Sequence, residues 1–297
     1  MYNKVSTNFL LYCMMAFAML TWGVAWTSAK ITNQYLNYDN LVFLRFLIGF
    51  ITILPFLYKR KVSYVNFPKS VIFNIILTSI LFFIYNQCFF MGTDLGKAGM
   101  GGVFVTTTNP IVTFIIISII SKEINLFKIF SVTIGMLGGI FILDIFNQGI
   151  NAVYFPGTRY FVICSVTWGV MTIFMSYAQK KMDSIYYIAC CYAVTSIIAI
   201  FFVDFTEILD YSKFDNIFYI NFFFVCAAMS IGTSIYIYAS YKLGPVAAST
   251  FIFSVPFIAI GTANIFINES IGFNVVIGGI LSIISIYLVN SNLNLKK

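Results

Sequence analysis

The sequence predicts an all-α integral membrane protein with ten transmembrane helices, arranged as two inverted five-helix repeats with both termini in the cytoplasm. Three observations support this prediction. The chain of 297 residues is 60% hydrophobic and 9% charged, whereas soluble domains carry about 25% charged residues. It contains ten long apolar runs, and two of these contain the same four residues, Thr-Trp-Gly-Val. The whole chain, 1–297, is therefore expected to form a single membrane domain.

Each apolar run is predicted to be a helix. A helix that crosses the hydrocarbon core needs about 20 apolar residues, and the backbone groups of such a segment must be satisfied internally. The first run is too long for a signal-peptide core and is expected to remain as a span. The predicted spans are 9–29, 40–58, 71–91, 99–120, 129–146, 160–178, 184–203, 217–239, 246–267 and 271–290.

Lys and Arg in the connections predict the orientation, because these residues favour the cytoplasmic side of a membrane. With the N-terminus inside, twelve of the 17 basic residues lie inside and four outside, while Arg45 lies within a span. The cluster at 59–61 is the strongest single signal. We therefore expect a multi-pass protein of the plasma membrane. Acidic residues crowd the outer connection 204–215, which we interpret as a solvated face.

The repeated Thr-Trp-Gly-Val begins at positions 21 and 167, an offset of 146 residues. Two further landmarks share this offset, while Leu95-Gly96 matches Leu243-Gly244 at an offset of 148, which a small insertion explains. The two landmarks are the pairs Pro110 with Pro256 and Glu123 with Glu269.

Each half of the chain, 9–146 and 160–290, contains five predicted spans. Five is an odd number, so the second half is expected to lie inverted relative to the first. Inverted halves that rock about a site near the midplane are the arrangement of many secondary transporters. The repeat therefore favours a transporter over a structural membrane protein.

The ordered set of motifs resembles the EamA-type transporters of the drug/metabolite transporter superfamily. The matching elements are Trp-Gly in spans 1 and 6, an Arg within LVFLRFLIGF in span 2, a central Pro in spans 4 and 9, and a Glu after each of these two spans. The resemblance covers nearly the whole chain. The second half departs from it, since Cys191 occupies the position equivalent to Arg45.

The resemblance implies ten helices in two inverted halves and a central cavity. It implies that spans 1, 3, 4, 6, 8 and 9 line this cavity, with spans 5 and 10 at the periphery. It further implies export or exchange of small metabolites such as amino acids, nucleotide-related compounds or drugs.

Arg45 is the one charged residue well inside a predicted span. A charge within the membrane is costly and indicates a functional site. Arg45 is therefore a candidate for binding a substrate carboxylate or phosphate. The alternative is that it extends to the nearby outer end of the helix or caps carbonyl groups there.

A second candidate binding segment surrounds Pro110 in span 4. Proline removes a backbone donor and frees the carbonyl group one turn earlier, where polar side chains are also concentrated. The alternative is that the threonine hydroxyls bond to their own helix. The candidate residues are Thr106, Thr107 and Asn109, with Thr250, Ser254 and Pro256 as the weaker counterpart in span 9.

Aromatic and polar residues of other spans complete the predicted site. The tryptophans are expected either to anchor the helices at the membrane interface or to form a wall of the cavity. The serines belong to a polar stripe on span 8 that faces either the cavity or another helix. These candidates are Trp22, Trp26, Asn86, Trp168, Ser230 and Ser234.

The two glutamates that follow spans 4 and 9 have a structural interpretation. Each lies near the start of the following helix, where the helix dipole favours an acid. A role in gating or coupling is the alternative. Gly135 and Gly139 form a GxxxG motif, which supports close helix packing within the molecule or between two copies.

Several functions are disfavoured by the residues and motifs that the sequence lacks. It has no His, no paired carboxylates within spans and no recognisable pair of nucleophile and base, so an enzyme is not expected. No channel filter motif is visible. The basic residues are scattered between apolar runs, which argues against a nucleic-acid partner. No metal or cofactor is predicted.

The sequence therefore predicts a secondary transporter that works by alternating access around a central cavity. Its expected substrates are small organic metabolites, above all amino acids or related zwitterions. No Asp or Glu lies in the middle of a span, which favours facilitated transport or exchange over carboxylate coupling. The alternative is a proton-driven exporter of drugs or other metabolites. The expected partners are the small-molecule substrate and the bilayer, with the chain as a monomer or homodimer.

Overall fold

Helices form all the regular secondary structure in the part of the chain that the structure, a computed structural model, describes: residues 2–58, 68–122, 126–243, 251–252 and 254–294. Shorter helical turns lie in the connections. We number the long helices α1 Tyr2–Thr32, α2 Tyr38–Tyr58, α3 Lys69–Leu95, α4 Ala98–Ser121, α5 Leu126–Ile142, α6 Pro156–Gln179, α7 Ser184–Ala199, α8 (Asn216–Ala227, Ala228–Gly232 and Thr233–Leu243 in succession), α9 Val255–Ile267 and α10 Phe273–Asn294.

Seven of these helices, α1–α4 and α6–α8, are long and apolar enough to cross a membrane. The other three are apolar but shorter, with apolar stretches over Ile129–Ile142, Val255–Ile267 and Phe273–Leu288. The all-α membrane class predicted from composition is thereby confirmed for the described residues. Residues 246–250 of the predicted span 246–267 lie outside them, as do Glu123 and the basic cluster 59–61. Thr250 is among the residues of the span that are not described.

The end of α5 differs from the predicted span, and the two equivalent prolines lie in different parts of their helices. Helix α5 ends at Ile142, four residues before the predicted end, because Asp144 adopts a left-handed backbone conformation with φ of 57°. Pro110 lies inside the continuous helix α4. Pro256 instead lies in the first turn of α9, where its missing N–H would have no helical partner.

The set of helix pairs that pack against each other has an approximate two-fold symmetry. The pattern is preserved when each helix of the first half is exchanged for its counterpart five helices later. Thus α1 packs against α8 and α9, as α6 packs against α3 and α4. The pairs α2 with α7, α4 with α9 and α5 with α10 each map onto themselves, and α3 with α7 has its counterpart in α8 with α2.

One end of the helix bundle, here named the acidic end, holds connections 33–37, 96–97, 200–215 and 268–272. Polar contacts between the two halves join these connections. The Tyr35 hydroxyl donates to the Asp215 carboxylate at 2.9 Å, and Asn40 donates to Glu207 at 2.7 Å. The opposite end, named the basic end, holds connection 180–183 with Lys180 and Lys181.

The acidic residues of connection 204–215 were expected to form a solvated face, and Asp204 and Asp215 are indeed exposed. Asp204 and Asp215 cap helices by accepting backbone N–H groups of Thr206 and Phe218. The bond from Phe218 and the hydroxyl of Tyr35 hold the pKa of Asp215 below its usual range. Glu207 accepts the bond from Asn40 described above. The carboxylates of Asp215 and Glu207 therefore face water and also connect the two halves.

Glu269 stabilises a helix N-terminus, but a different one from that expected. Its carboxylate is buried and accepts the backbone N–H groups of Ala98 at 2.9 Å and Gly99 at 3.2 Å. These are the first residues of α4, not of α10. The interaction has the predicted electrostatic basis, yet it joins the second half of the chain to the first.

Helices α5 and α10 meet through glycines. A Cβ atom at Gly138 would lie 2.7 Å from the carbonyl oxygen of Gly278, and one at Gly278 would lie 2.5 Å from that of Gly138. Gly135 faces Ser285 of α10, while Gly139 has ordinary contacts with α4. The glycine-rich face of α5 is therefore used within the molecule.

Candidate functional site

A cavity of about 280 Å³ lies between the two halves of the helix bundle. Its described walls come from α1, α2, α3, α4, α6, α8 and Ile252, just before α9. The lining residues belong to both halves and are mostly aromatic or neutral polar. They are Trp22, Ala25, Trp26, Arg45, Tyr85, Phe89, Thr106, Asn109, Trp168, Thr172, Met175, Ser176, Ala228, Met229, Thr233, Tyr236 and Ile252.

Two tryptophans that are equivalent in the repeat meet at the cavity. The rings of Trp22 and Trp168 lie 6.1 Å apart at an interplanar angle of 81°, an edge-to-face contact. Tyr236 lies 5.1 Å from Trp22, and Tyr85 lies 4.9 Å from Trp168. Both tryptophans thus form the cavity wall, which was one of the two roles considered from the sequence.

The side chain of Arg45 is buried at the part of the cavity nearer the acidic end. Only 5% of the residue is exposed, and its guanidinium donates to Asn86 at 2.8 Å. The guanidinium also lies over the rings of Phe89, at 4.9 Å, and Phe90, at 5.7 Å. Arg45 therefore does not extend to the end of α2.

The charge of Arg45 is not balanced by a neighbouring acid. In the described part of the chain no carboxylate forms an ion pair with it, and its Nε has no hydrogen-bond partner. Asn86 is held in place by a bond from its amide nitrogen to Phe82. A buried charge without a counterion is unfavourable, and this charge lies on the wall of the cavity.

Helix α8 contains a π-helical turn at Ala228–Gly232, beside the cavity. A turn of this kind leaves backbone carbonyl groups free for other partners and is frequent at functional sites. The Ala228 carbonyl accepts bonds from the Trp22 indole at 2.9 Å and the Thr233 hydroxyl at 3.2 Å. The turn also holds one residue more than an α-helical turn. This extra residue accounts for part of the change in the repeat offset from 146 to 148.

The comparison with known families agrees with this arrangement. The model of the EamA-like transporter family matches residues 9–144 and 156–291. The chain belongs to this family. The two matched segments correspond closely to the two halves inferred from the repeat, and members of the EamA-like family are transporters rather than enzymes.

Comparisons with individual proteins add the fold. No curated protein matches this EamA-like chain. A solved structure described as "Crystal structure of protein" matches with a TM-score of 0.64 and 14% sequence identity, covering 95% of this chain and 97% of that chain. At this identity the likeness shows that the fold is shared.

Six of the predicted site residues lie on the cavity wall. The others are placed differently: Asn86 orients Arg45, Thr107 bonds to the Val103 carbonyl, and Ser254 is exposed and bonds to Phe251. The residues on the wall are Trp22, Trp26, Arg45, Thr106, Asn109 and Trp168.

Ser230 and Ser234 do not line the cavity, although Thr233 does. The sequence was interpreted with α-helical spacing, which places all three on one face. The π-helical turn changes this phase. Ser230 donates to Cys226 instead, and the buried hydroxyl of Ser234 has no partner in the described residues.

The residues that sequence reasoning left out of the site are mainly on α3, α6 and α8. The repeat offset in the sequence could have identified two of them. The offset of 146 relates Trp26 to Thr172, and the offset of 148 relates Tyr85 to Thr233. Equivalent positions in an inverted repeat are expected at mirrored depths of the same cavity.

The two ends of the cavity differ in exposure. Towards the acidic end, Trp26 and Phe89 are buried and pack against each other at 4.8 Å. Towards the basic end, Ser176 on the wall is exposed. In this conformation the cavity therefore reaches the surface near Ser176, while aromatic rings close it beyond Arg45.

Proposed function

We propose that this EamA-like protein is a secondary transporter of amino acids or related zwitterions, working by alternating access around the cavity. Arg45 carries this proposal. Its buried guanidinium lacks a counterion among the described residues, and a substrate carboxylate would supply one through charge-assisted hydrogen bonds. The aromatic rings beside it suit the apolar body of such a substrate.

The size of the cavity supports a small substrate. Ligand sites for drug-sized molecules span roughly 300–1,000 Å³, and the volume here, about 280 Å³, lies just below that range. Arg45 is also the one cationic side chain on the described wall. A multiply phosphorylated substrate would require more cationic groups than this wall provides.

Alternating access is supported by the packing symmetry of the two halves. We propose ten membrane spans, α1 to α10, with the second five inverted relative to the first. In such an arrangement, the cavity open near Ser176 would have a mirrored state that is open near Arg45. Inverted repeats in transporters support this type of exchange between two states.

The proposed mode of transport is facilitated diffusion or exchange. No Asp or Glu lines the described wall of the cavity, so no carboxylate there can bind a proton together with substrate. The aromatic lining also suits lipophilic compounds, and a proton-driven exporter of such compounds is the competing function.

The substrate is tested by counterflow in proteoliposomes. Vesicles with the purified protein are loaded with one unlabelled amino acid, and entry of the same labelled amino acid is followed. We expect saturable, protein-dependent entry for a subset of the panel. Entry of none, with reconstitution verified, would exclude amino acids. Entry of lipophilic cations only under a pH gradient would instead support the competing exporter.

The orientation is tested by cysteine labelling in intact cells. We propose that the acidic end faces outward, because the connections at the basic end hold most of the Lys and Arg. An impermeant maleimide should label S212C from outside and K181C only after permeabilisation, since both positions are exposed. The wild-type chain controls for its six native cysteines. The reverse pattern would contradict the proposed orientation.

A further inference from the structure

We propose that the substrate carries a hydrogen-bond donor at the end remote from its carboxylate, and that Thr172 and Thr233 bind this donor. The inference rests on the proposed function and makes the substrate class narrower. It follows from the positions of these two hydroxyl groups and from the bonds that they already make.

Both threonines present only acceptor atoms to the cavity. The Thr172 hydroxyl donates its proton to the Trp168 carbonyl at 2.9 Å. The Thr233 hydroxyl donates to the Ala228 carbonyl at 3.2 Å, with the sulfur of Met229, which also can only accept, at 3.9 Å. A carbonyl cannot donate, so in each bond the threonine must be the donor. A hydroxyl has one proton and two lone pairs. Its remaining capacity towards a ligand is therefore that of an acceptor.

The helix positions place these acceptors on the side of the tryptophan pair remote from Arg45. Thr233 follows Ala228, whose carbonyl accepts the Trp22 indole, by five residues towards the basic end. Trp26, the equivalent of Thr172, packs against Phe89, over which the Arg45 guanidinium lies. Thr172 follows Trp168 by one turn towards the basic end, as Trp26 follows Trp22 by one turn towards the acidic end. The cavity thus has a donor pole at Arg45 and an acceptor pole at Thr172 and Thr233.

The distance between the poles excludes the α-ammonium group as the ligand of the acceptor pole. Trp22 and Trp168 touch, and four residues of helix rise about 6 Å on either side, so the poles are on the order of 10 Å apart. The α-nitrogen lies only two bonds from the carboxylate carbon. A substrate that reaches both poles must therefore carry its second polar group at the end of its side chain.

The group expected there is a hydroxyl, an N–H or an ammonium. Asn109, Ser176, Tyr85 and Tyr236 also lie on the wall and offer both donor and acceptor atoms, so they do not select between ligand types. Thr106 donates to the Gly102 carbonyl and is a further acceptor, but it lies on the Trp26 side of the cavity, with Arg45. The aromatic rings between the poles suit an apolar linking segment. A site built to bind a ligand donor rejects analogues that lack it more strongly than an apolar pocket would.

The test compares ligand pairs that differ in one donor, in the counterflow assay. The pairs are tyrosine with phenylalanine, which tests a hydroxyl, and 5-aminopentanoate with pentanoate, which tests an ammonium group. Apparent affinity is measured for wild type, T172V, T172S and T233V. Valine removes the acceptor at similar volume, whereas serine keeps it. T133V is the matched control, because Thr133 makes the same bond to its own helix but is exposed on α5.

We expect the wild type to prefer the donor-bearing member of at least one pair by about tenfold. T172V and T233V should reduce this preference to about twofold or less while leaving the other member unchanged. T172S and T133V should keep the wild-type preference. Equal affinity for both members of each pair in the wild type would overturn the inference. So would a preference that persists in both valine variants, or an equal loss for both members.

Failure of the proposed function would give a different result. In that case none of the four carboxylates would show saturable counterflow beyond that of protein-free vesicles, and the inference would fail with it. If carboxylates enter but donors have no effect, the transport function stands and the acceptor pole is refuted.

Discussion

Replacing Arg45 by methionine is expected to abolish most substrate binding while leaving the protein as stable as before. Methionine keeps an unbranched side chain of similar length but removes the charge. Truncating one partner of a buried charge pair typically costs at least about 2 kcal/mol of binding free energy, which is about a 30-fold loss of affinity. R45K should give a smaller loss, because it keeps the positive charge. Some loss is still expected, since an ammonium cannot bind a carboxylate with the two-pronged geometry of arginine.

The stability of the ligand-free protein separates this account from a structural role. Arg45 is buried, and its Nε is unpaired in the described residues. Replacing a poorly compensated buried charge by an apolar residue is often neutral or stabilising, so the Tm of R45M should stay equal or rise. The control is R159A, which removes an exposed arginine that bonds only to its neighbour Tyr160 in the described residues. Wild-type affinity in R45M, or a large fall in its Tm, would contradict the proposed role.

The second large effect is expected at the contact between α5 and α10. In G278V the new Cβ would lie 2.5 Å from the carbonyl oxygen of Gly138 and 2.8 Å from the backbone nitrogen of Ile142. These are backbone atoms, which cannot move aside without separating the helices. Overpacking typically costs about 1–3 kcal/mol, and we expect a value near the upper end.

The matched control for this substitution is G261V. Gly261 lies in the helix α9, and a Cβ atom there would meet nothing within 4 Å. Thermal unfolding in detergent is measured by size-exclusion chromatography of samples heated to increasing temperatures. The Tm should be lower by several degrees for G278V only. Equal Tm values for the two variants would show that α5 and α10 do not pack as closely as described.

Much of the fold follows from local sequence properties. The length and apolar character of a run are recorded in consecutive residues, so the helix positions could be predicted without tertiary information. The repeat was equally visible, because Trp22 and Trp168 retain the same neighbours in the sequence. Their contact across the cavity follows once the two halves are placed together.

Other features depend on contacts between distant residues. Glu269 lies next to α10 in sequence, yet it binds the N-terminus of α4, and only the packing of the halves reveals this partner. The π-helical turn at Ala228–Gly232 has no distinctive residue type. It therefore changed the face of Ser230, Thr233 and Ser234 without a signal in the sequence.

The bond between Arg45 and Asn86 shows how burial and function combine. The sequence placed Arg45 within a span but could not choose between binding a substrate and extending to the helix end. The structure keeps the guanidinium beside Phe89 and Asn86, on the wall of the cavity. The nearby amide orients one guanidinium nitrogen, while the charge has no counterion in the described residues.

The most direct test of the central claim is counterflow with the pH gradient and the membrane potential both collapsed. A facilitative carrier should then draw labelled amino acid into preloaded vesicles transiently above its external concentration, because unlabelled substrate leaving through the same cavity competes with efflux of the label. This overshoot is the predicted result, and R45M should lack it. Entry that never exceeds equilibrium, or that requires an imposed pH gradient, would contradict facilitative exchange by alternating access.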